Sequence, residues 1–469
     1  MGVNRLTALL TRYAPDALRQ VHANHFAYQT IAIDASCHLN KFMYGDEPHP
    51  FRHIYGFYLL ARFCDMNKIN PIFVFDGPSR IAAKRLEQTR REKGRLKVNY
   101  SLVFERERMA RLDSWHEIVE PNFGKLSEET AVNILSLLGE TLDELEEEQV
   151  RSEPLVTAEA AAPEDVVEID QEVAERHTQL EDCLVHLAND VNRAILEAND
   201  ADKYTRTVRD LSAQERDVMV RLIRTRLSNV NIALHDLQQK NRQALLSLEK
   251  RSIRITQKMR DECRHFLKTL GYPCFTSFHH EAEAMCAKMA VEHRTTATIS
   301  EDLDTIVFGD APLLRYFFAK GRPILVVDPV KARQQLQLDR DAFIDMCILC
   351  GTDFSGTIQG IGPVRALHYM QQYGSIEKLL QHLPPKYVPE EDFDFQLARQ
   401  TFKELPPIPP DSTAYTPGVL DPAAAQHLLS IYEIDPQEVE DRLNTIRLQQ
   451  LSQNYGAWGP NPFNDMAPF

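Results

Sequence analysis

Seven carboxylates stand beside apolar runs in well-separated parts of this chain. Asp34 follows Ile31-Ala32-Ile33, Asp76 follows Phe73-Val74-Phe75, and Glu281 and Glu283 precede the pattern Ala284-Met285-Cys286-Ala287. Asp302 and Asp304 come after Thr296-Ala297-Thr298-Ile299, and Asp353 follows Gly351-Thr352. Strand ends of an open α/β sheet collect at one edge, where such sheets place their ligands. Carboxylates gathered there repel one another unless cations neutralise them, and hard divalent ions such as Mg²⁺ or Mn²⁺ suit an all-oxygen site. A lone Asp after a strand is more often a turn former or a helix cap, so Asp34 and Asp353 taken singly point to structure. The tandem pairs shift the balance. Asp302 and Asp304 are two apart, so in extended backbone both would point the same way. Glu281 and Glu283 are weaker evidence, since the positive end of a helix favours carboxylates with or without a metal.

The elements that must position these groups alternate helix-like and strand-like up to about Asp76. A basic stretch follows, with Lys84, Arg85, Arg90, Arg91, Lys93, Arg95 and Lys97 against Glu87 and Glu92. Lys84 and Arg91 are seven apart, close to two helical turns, so on a helix they share a face. Beyond residue 114 the chain turns acidic. Residues 138–170 contain Glu146-Glu147-Glu148 and two prolines and can bury little apolar surface. Leu180, Leu184, Leu187, Val191 and Ile195 then recur at helical spacing, as do Val220, Ile223, Leu227 and Val230. Further on, Gly360-Ile361-Gly362-Pro363 reads as a hairpin between two helices whose second N-terminus offers amides to a phosphate. After residue 385 the chain is Pro-rich, with Leu405-Pro406-Pro407-Ile408-Pro409-Pro410.

The 469 residues, 43% of them hydrophobic, are enough for two or three domains with a sizeable core. No apolar run is long enough to cross a bilayer, no secretory signal is visible, and Leu6 stands where myristoylation wants Ser or Thr. The eight cysteines lack paired zinc-like spacing, and Cys347 and Cys350, though a C-x-x-C, flank an apolar pair and read as core. The net charge of −15 is unevenly spread. Residues 114–200 hold about 23 acids against about 4 bases, which leaves the remainder at about +4 and compatible with nucleic acid.

Taken together, these motifs resemble the flap endonuclease and XPG family of structure-specific 5′ nucleases. The likeness is carried by Met1-Gly2-Val3, Ala32-Ile33-Asp34-Ala35-Ser36 and Val74-Phe75-Asp76-Gly77. It continues in Glu281-Ala282-Glu283-Ala284, Glu301-Asp302-Leu303-Asp304, Cys350-Gly351-Thr352-Asp353 and Gly360-Ile361-Gly362-Pro363. It covers roughly residues 1–110 and 250–400. The resemblance implies a PIN-like α/β fold: a central, mostly parallel sheet flanked by helices, with a helical arch or insertion and a helix–two-turn–helix DNA-binding element. It divides the chain into an N-terminal nuclease region (1–113), an acidic helical insertion with a flexible centre (114–250), an internal nuclease region (251–385) and a Pro-rich extension (386–469).

The activity implied is Mg²⁺-dependent hydrolysis of DNA phosphodiester bonds, by endonucleolytic or exonucleolytic 5′ cutting in repair or replication. The alternative is a catalytically degenerate scaffold that associates with nucleic acid. By resemblance Asp34, Asp76 and Glu281 serve one of two ions, Asp302, Asp304 and Asp353 the other, with Glu283 between them. Lys84 and Arg91 stabilise charge on the phosphate, with the Lys one residue later after Asp-Gly than is usual. Gly2, Gly360, Gly362 and Arg365 contact DNA, and the helix–two-turn–helix element binds a potassium ion beside Thr357. Asn40 occupies a position where such enzymes often carry a stacking Tyr, so stacking falls to His38 or elsewhere, while His279 and His280 read as structural or substrate-adjacent. Branched or nicked DNA is the expected partner. No sliding-clamp motif stands out, and Tyr455, Trp458 and Phe463 read as docking onto the core. The acidic insertion is a candidate surface for a protein partner. A nuclear location is expected, with the mitochondrion the alternative.

Overall fold

The computed structural model describes residues 3–78, 81–119, 126–140, 171–225, 227, 231–319 and 322–452. It forms two compact units, one of residues 1–90 with 254–469 and the other of Arg91–Ile253. Gly2, Arg80, the acid-rich centre at 141–170, Val230 and the aromatic tail of Tyr455, Trp458 and Phe463 lie outside the described residues.

The first unit is built on a seven-stranded sheet. Its strands are β1 (Leu18–Val21), β2 (Thr30–Asp34), β3 (Asn70–Asp76), β4 (Cys274–Ser277), β5 (Ala297–Ile299), β6 (Leu313–Arg315) and β7 (Ile324–Val327). Their spatial order is β1-β7-β6-β5-β2-β3-β4. The five strands from β6 to β4 run parallel, and β7 and β1 are added antiparallel at one side. This is the PIN-like, mostly parallel sheet the sequence led one to expect.

The central strands read as unbroken apolar runs because helices cover both faces. In β3, Pro71 to Phe75 are all buried. On one face, Ala32, Ile72 and Val74 pack against Ala282, Met285, Cys286 and Met289 of the helix Ala282–Val291. Elsewhere Phe57, on the helix Arg52–Met66, meets Phe42, Phe73 and Phe75 edge-on or tilted. Each such ring removed from water contributes roughly 1.5–3 kcal/mol. Cys347 and Cys350 are buried on the helix Arg340–Cys350, as core packing requires.

After β2 the chain crosses to β3 and β4 on one side, whereas β5 and β6 lie on the other, so the winding reverses beside β2. Asp34, Asp76 and the loop after β5 all fall at the carboxyl ends of these strands, on the two sides of that reversal.

The second unit is all helical among its described residues. It takes most of the helix Arg85–Val119, with Glu128–Leu137, Gln171–Ala198, Arg206–Arg224 and Asn231–Ser252. Trp115, Ile134, Leu184, Val191, Leu222 and Leu234 build its core. At its centre Arg108 is fully buried and donates to Glu215 (2.9 Å), Glu105, Ser212 and the Val208 carbonyl (3.0 Å). Arg111 binds the same Glu215 through two nitrogens, and Asn241 donates to Glu105.

Two expectations change here. The boundary drawn at residues 113/114 falls inside the 35-residue helix Arg85–Val119, and the compact unit begins at Arg91. The helical repeat read from Val220 through Val230 stops at Arg224, and Leu227 takes a left-handed conformation that an α-helix cannot contain.

Candidate active site

Asp34 ends β2 and caps the helix Ala35–Tyr44, one oxygen accepting the Cys37 N–H (2.9 Å). Its other oxygen accepts from the Ser300 hydroxyl (2.8 Å), and Ser300 in turn accepts the Asp302 N–H (3.0 Å). The capping role expected of a lone Asp is therefore real, and the same side chain also belongs to the cluster. Burial, reinforced by Asp76, pushes the Asp34 carboxyl up to about 7. Asp76 ends β3, and its Oδ1 accepts the N–H of Ala282 (2.9 Å), so it caps a helix that begins more than two hundred residues later. That frees Glu281, which sits at the N-cap position without using its side chain there.

Glu281 is buried and pairs with the Lys84 ammonium, which also lies 3.7 Å from Asp353 and 5.1 Å above the Phe354 ring. Burial works against the charge on Lys84, but Glu281, Glu283 and Asp353 outweigh it and hold its pKa well above the usual lysine value. Glu283 is driven far up by burial and then by Asp34, Glu281, Asp302 and Asp76. Asp304 is raised by burial and by Asp302, with Lys84 pulling the other way. The seven carboxylates thus feel one another's charge: Asp76 and Asp302 act on Asp34, Glu281 acts on Glu283, Asp353 acts on Asp302 and Asp304, and Lys84 faces Glu281, Glu283 and Asp353.

Asp302 and Asp304 come together by a different route from the one the spacing suggested. They lie beyond β5, in a turn where Asp302 Oδ1 accepts the Asp304 N–H (3.0 Å). An Asp that bonds its own backbone two residues on makes such a turn, so strand alternation plays no part. Asp304 Oδ1 is buried and has no hydrogen-bond partner. A buried carboxylate oxygen left in that state costs free energy that a cation would recover. Among the described residues no three such side chains are already drawn to ligand spacing around one point. The donor set, all carboxylate oxygen with one orphaned acceptor, nevertheless fits a hard divalent ion.

Lys84 closes the short 3-10 turn Ala82–Lys84, immediately before the helix Arg85–Val119 that carries Arg91. The two cations therefore do not share one helix, as their spacing suggested. Arg91 is exposed and opens the second unit.

His38 is fully buried, its ring bonded to the Asp34 carbonyl (2.8 Å), and burial lowers its pKa to about 4. It offers no face to a base, so of the two options, His38 or elsewhere, the first is excluded. His280 is structural: its Nδ1 accepts the Glu281 N–H (2.8 Å) and its Nε2 donates to the Thr401 carbonyl (3.1 Å). Ser300, which ties Asp34 to Asp302, escaped the sequence reading. A Ser two residues before an Asp at a strand exit was the available signal.

In the hairpin between the helices Arg340–Cys350 and Pro363–Tyr373, Gly360 has φ +82°, which favours glycine, and Gly362 caps the second helix without a side chain. Arg365 folds back onto the Gly360 carbonyl and lies over the Tyr387 ring (5.7 Å). Thr357 gives both its N–H (2.6 Å) and its hydroxyl (3.1 Å) to Glu390.

The XPG N-terminal domain matches residues 1–98 and the XPG I-region matches residues 271–353, and together these segments contain all seven carboxylates. Flap endonuclease 1 of Zea mays is 37% identical over 168 residues, 35% of this chain and 44% of its own length. Flap endonuclease 1 of Chlamydomonas reinhardtii is 32% identical over 247 residues, 49% of this chain and 60% of its own.

This chain carries segments that match the N-terminal domain and the I-region of the XPG family, and it is similar to flap endonucleases. It spans about half the length of the family's curated members that it matches. The catalytic core of Rad2 in complex with a DNA substrate superposes with a TM-score of 0.51 at 15% identity, covering 94% of this chain and 98% of that one, a likeness of fold.

Proposed function

We propose that the protein is a structure-specific 5′ nuclease that hydrolyses phosphodiester bonds of branched or nicked DNA with two Mg²⁺ ions. The observation that carries this is the burial of like-charged carboxylates around Asp304 Oδ1, an acceptor without a partner. A purely structural cluster gains nothing from mutual repulsion in a low-dielectric setting. In this reading Asp34, Asp76 and Glu281 hold one ion and Asp302, Asp304 and Asp353 the other, with Glu283 between them and Mn²⁺ an acceptable substitute. Divalent ions so held lower the pKa of a bound water and offset charge on the phosphate.

The chain's own groups do the rest. Ser300 and the Asp302 turn fix the carboxylate oxygens of Asp34 and Asp302 and the backbone of Asp304 before any ion arrives. Lys84, now paired with Glu281, supplies positive charge to the phosphate as ions take over the carboxylates. Arg91 is assigned the same role on the family spacing alone. Gly2, Gly360, Gly362 and Arg365 are assigned to the duplex backbone, and a potassium ion to the Thr357 hairpin, which would compete with the Glu390 contact. Acting on chromosomal DNA, the protein would be nuclear, and the second unit remains the surface for any protein partner.

The deciding test is cleavage of 5′-labelled flap, nicked and bubble DNA with Mg²⁺, beside Asp302→Ala. Cutting that vanishes in the variant is expected. Equal cutting by both proteins, or none by either, would overturn the proposal.

A further inference from the structure

Immediately before Glu281 the chain carries an exposed aromatic side chain in an unusual setting. Phe278 leaves β4 with 56% of its surface in water, while Ser277 before it is fully buried. Both ends of this short segment are pinned. Gly77, next to Asp76, donates its N–H to the Ser277 carbonyl (2.7 Å). A Cβ on Gly77 would stand 2.6 Å from that oxygen and 2.9 Å from the Phe278 Cα. On the other side His280 is held by the Thr401 carbonyl and by the Glu281 N–H. The two residues between the pins, Phe278 and His279, face solvent at the carboxylate edge of the sheet.

They border a cavity of about 520 Å³, within the range of roughly 300–1,000 Å³ typical of ligand pockets. Its lining includes Phe275, Arg264, Lys268 and the Pro-rich segment 406–409. That segment is itself anchored, since Tyr415 stacks on Phe275 (4.9 Å) and donates to the Pro409 carbonyl (2.6 Å). Met285, two residues beyond Glu283, also lines the cavity. The lining includes basic groups and two aromatic rings and no carboxylate. Aromatic faces beside cationic side chains are what a single-stranded nucleotide requires, the bases stacking and the phosphates meeting positive charge.

We infer that Phe278, at the mouth of this cavity, is the stacking platform for a nucleobase of the single-stranded part of the substrate, positioning the strand for the adjoining carboxylates. The inference rests on the proposed DNA substrate and names a residue for the stacking role that His38, being buried, cannot fill. Phe278 is a positioning residue. Its loss weakens binding of unpaired bases and leaves the carboxylate chemistry in place.

The test uses the full-length protein and a 5′-flap DNA carrying 2-aminopurine at successive unpaired positions next to the junction, titrated in EDTA so that no turnover occurs. Wild-type protein should quench the probe at one or two positions. Phe278→Ala should abolish that quench and weaken binding of the single-stranded part on the order of ten-fold, and Phe278→Trp should keep both. With Mg²⁺, Phe278→Ala should raise KM for a normal flap by a similar factor, and an abasic flap should show no difference between variant and wild type. Quenching unchanged in Phe278→Ala would overturn the inference, as would equal loss in Phe278→Ala and Phe278→Trp. Because the quench is read without catalysis, absence of cutting would sink the proposed activity while the stacking site is still judged.

Discussion

Each unit of the molecule buries a charged cluster, and the two obey opposite rules. In the helical unit, Arg108 and Arg111 meet Glu105 and Glu215, with Ser212 and Asn241 taking up further bonding capacity. Opposite charges are paired, and the cluster ties three helices in register. In the sheet unit, carboxylates face carboxylates, with Lys84 as counter-charge and Asp304 Oδ1 left without a partner. The contrast separates structure from function: a satisfied buried network stabilises one packing, whereas an unsatisfied one persists only if a ligand completes it.

The sharpest way to break this comparison is to remove the Arg. Arg108→Ala leaves Glu105 and Glu215 buried with less compensation and should destabilise the helical unit by roughly 3–5 kcal/mol. Urea unfolding followed through Trp115 fluorescence, in a Trp458→Phe background, would read it. The acidic cluster should answer in the opposite sense. Asp304→Ala should cost cutting on the order of 100- to 1,000-fold but should not lower the melting temperature of the metal-free protein, because it relieves repulsion. A lower metal-free melting temperature would mean that the cluster is structural after all.

Titration gives a third contrast. Asp34 is raised to about 7 from an ordinary 3.8, so between those values the folded state binds more protons than the unfolded state. Stability of the metal-free sheet unit should therefore fall as pH rises from about 4 to about 7, and added Mn²⁺ should flatten the profile. Melting curves across that range with EDTA or Mn²⁺ check the sign.

Gly77→Ala is next in size. Its methyl group would press on the Ser277 carbonyl, at a cost of roughly 1–3 kcal/mol. Activity should fall further than stability alone predicts, since Asp76 and the Phe278 segment shift together. At the lower limit, Arg106→Ala removes only an exposed pair with Glu249 (3.0 Å) and should change stability by no more than about 0.5 kcal/mol.

What could be read from the sequence follows the range of the interactions involved. The carboxylates and the parallel sheet were legible because each Asp stands directly after its own apolar strand and β2 and β3 are buried on both faces. The way Asp302 and Asp304 approach was not, because a two-residue spacing suits a turn as well as a strand. The burial of His38 depends on the ring bonding back to Asp34 and lying near Phe42, contacts that composition does not encode. The Arg108 network was invisible for a simpler reason. Its key partners are 104 to 107 residues away on another helix, and helical spacing marks apolar faces without showing which polar groups meet between them. The boundary at 113/114 was misplaced because composition changes there while the helix does not.

The insertion of one unit into the other also imposes an order in time. Asp34 and Ser300, joined by a hydrogen bond in the finished protein, are 266 residues apart in the chain. At translation rates of roughly 5–20 residues per second, β2 and β3 wait tens of seconds for β4 and β5, and the helical unit emerges in the interval. During that time two strongly apolar strands lack their parallel neighbours, a state exposed to wrong pairing. The protein's yield in a cell should then depend on chaperone supply and elongation rate more steeply than its final stability would suggest.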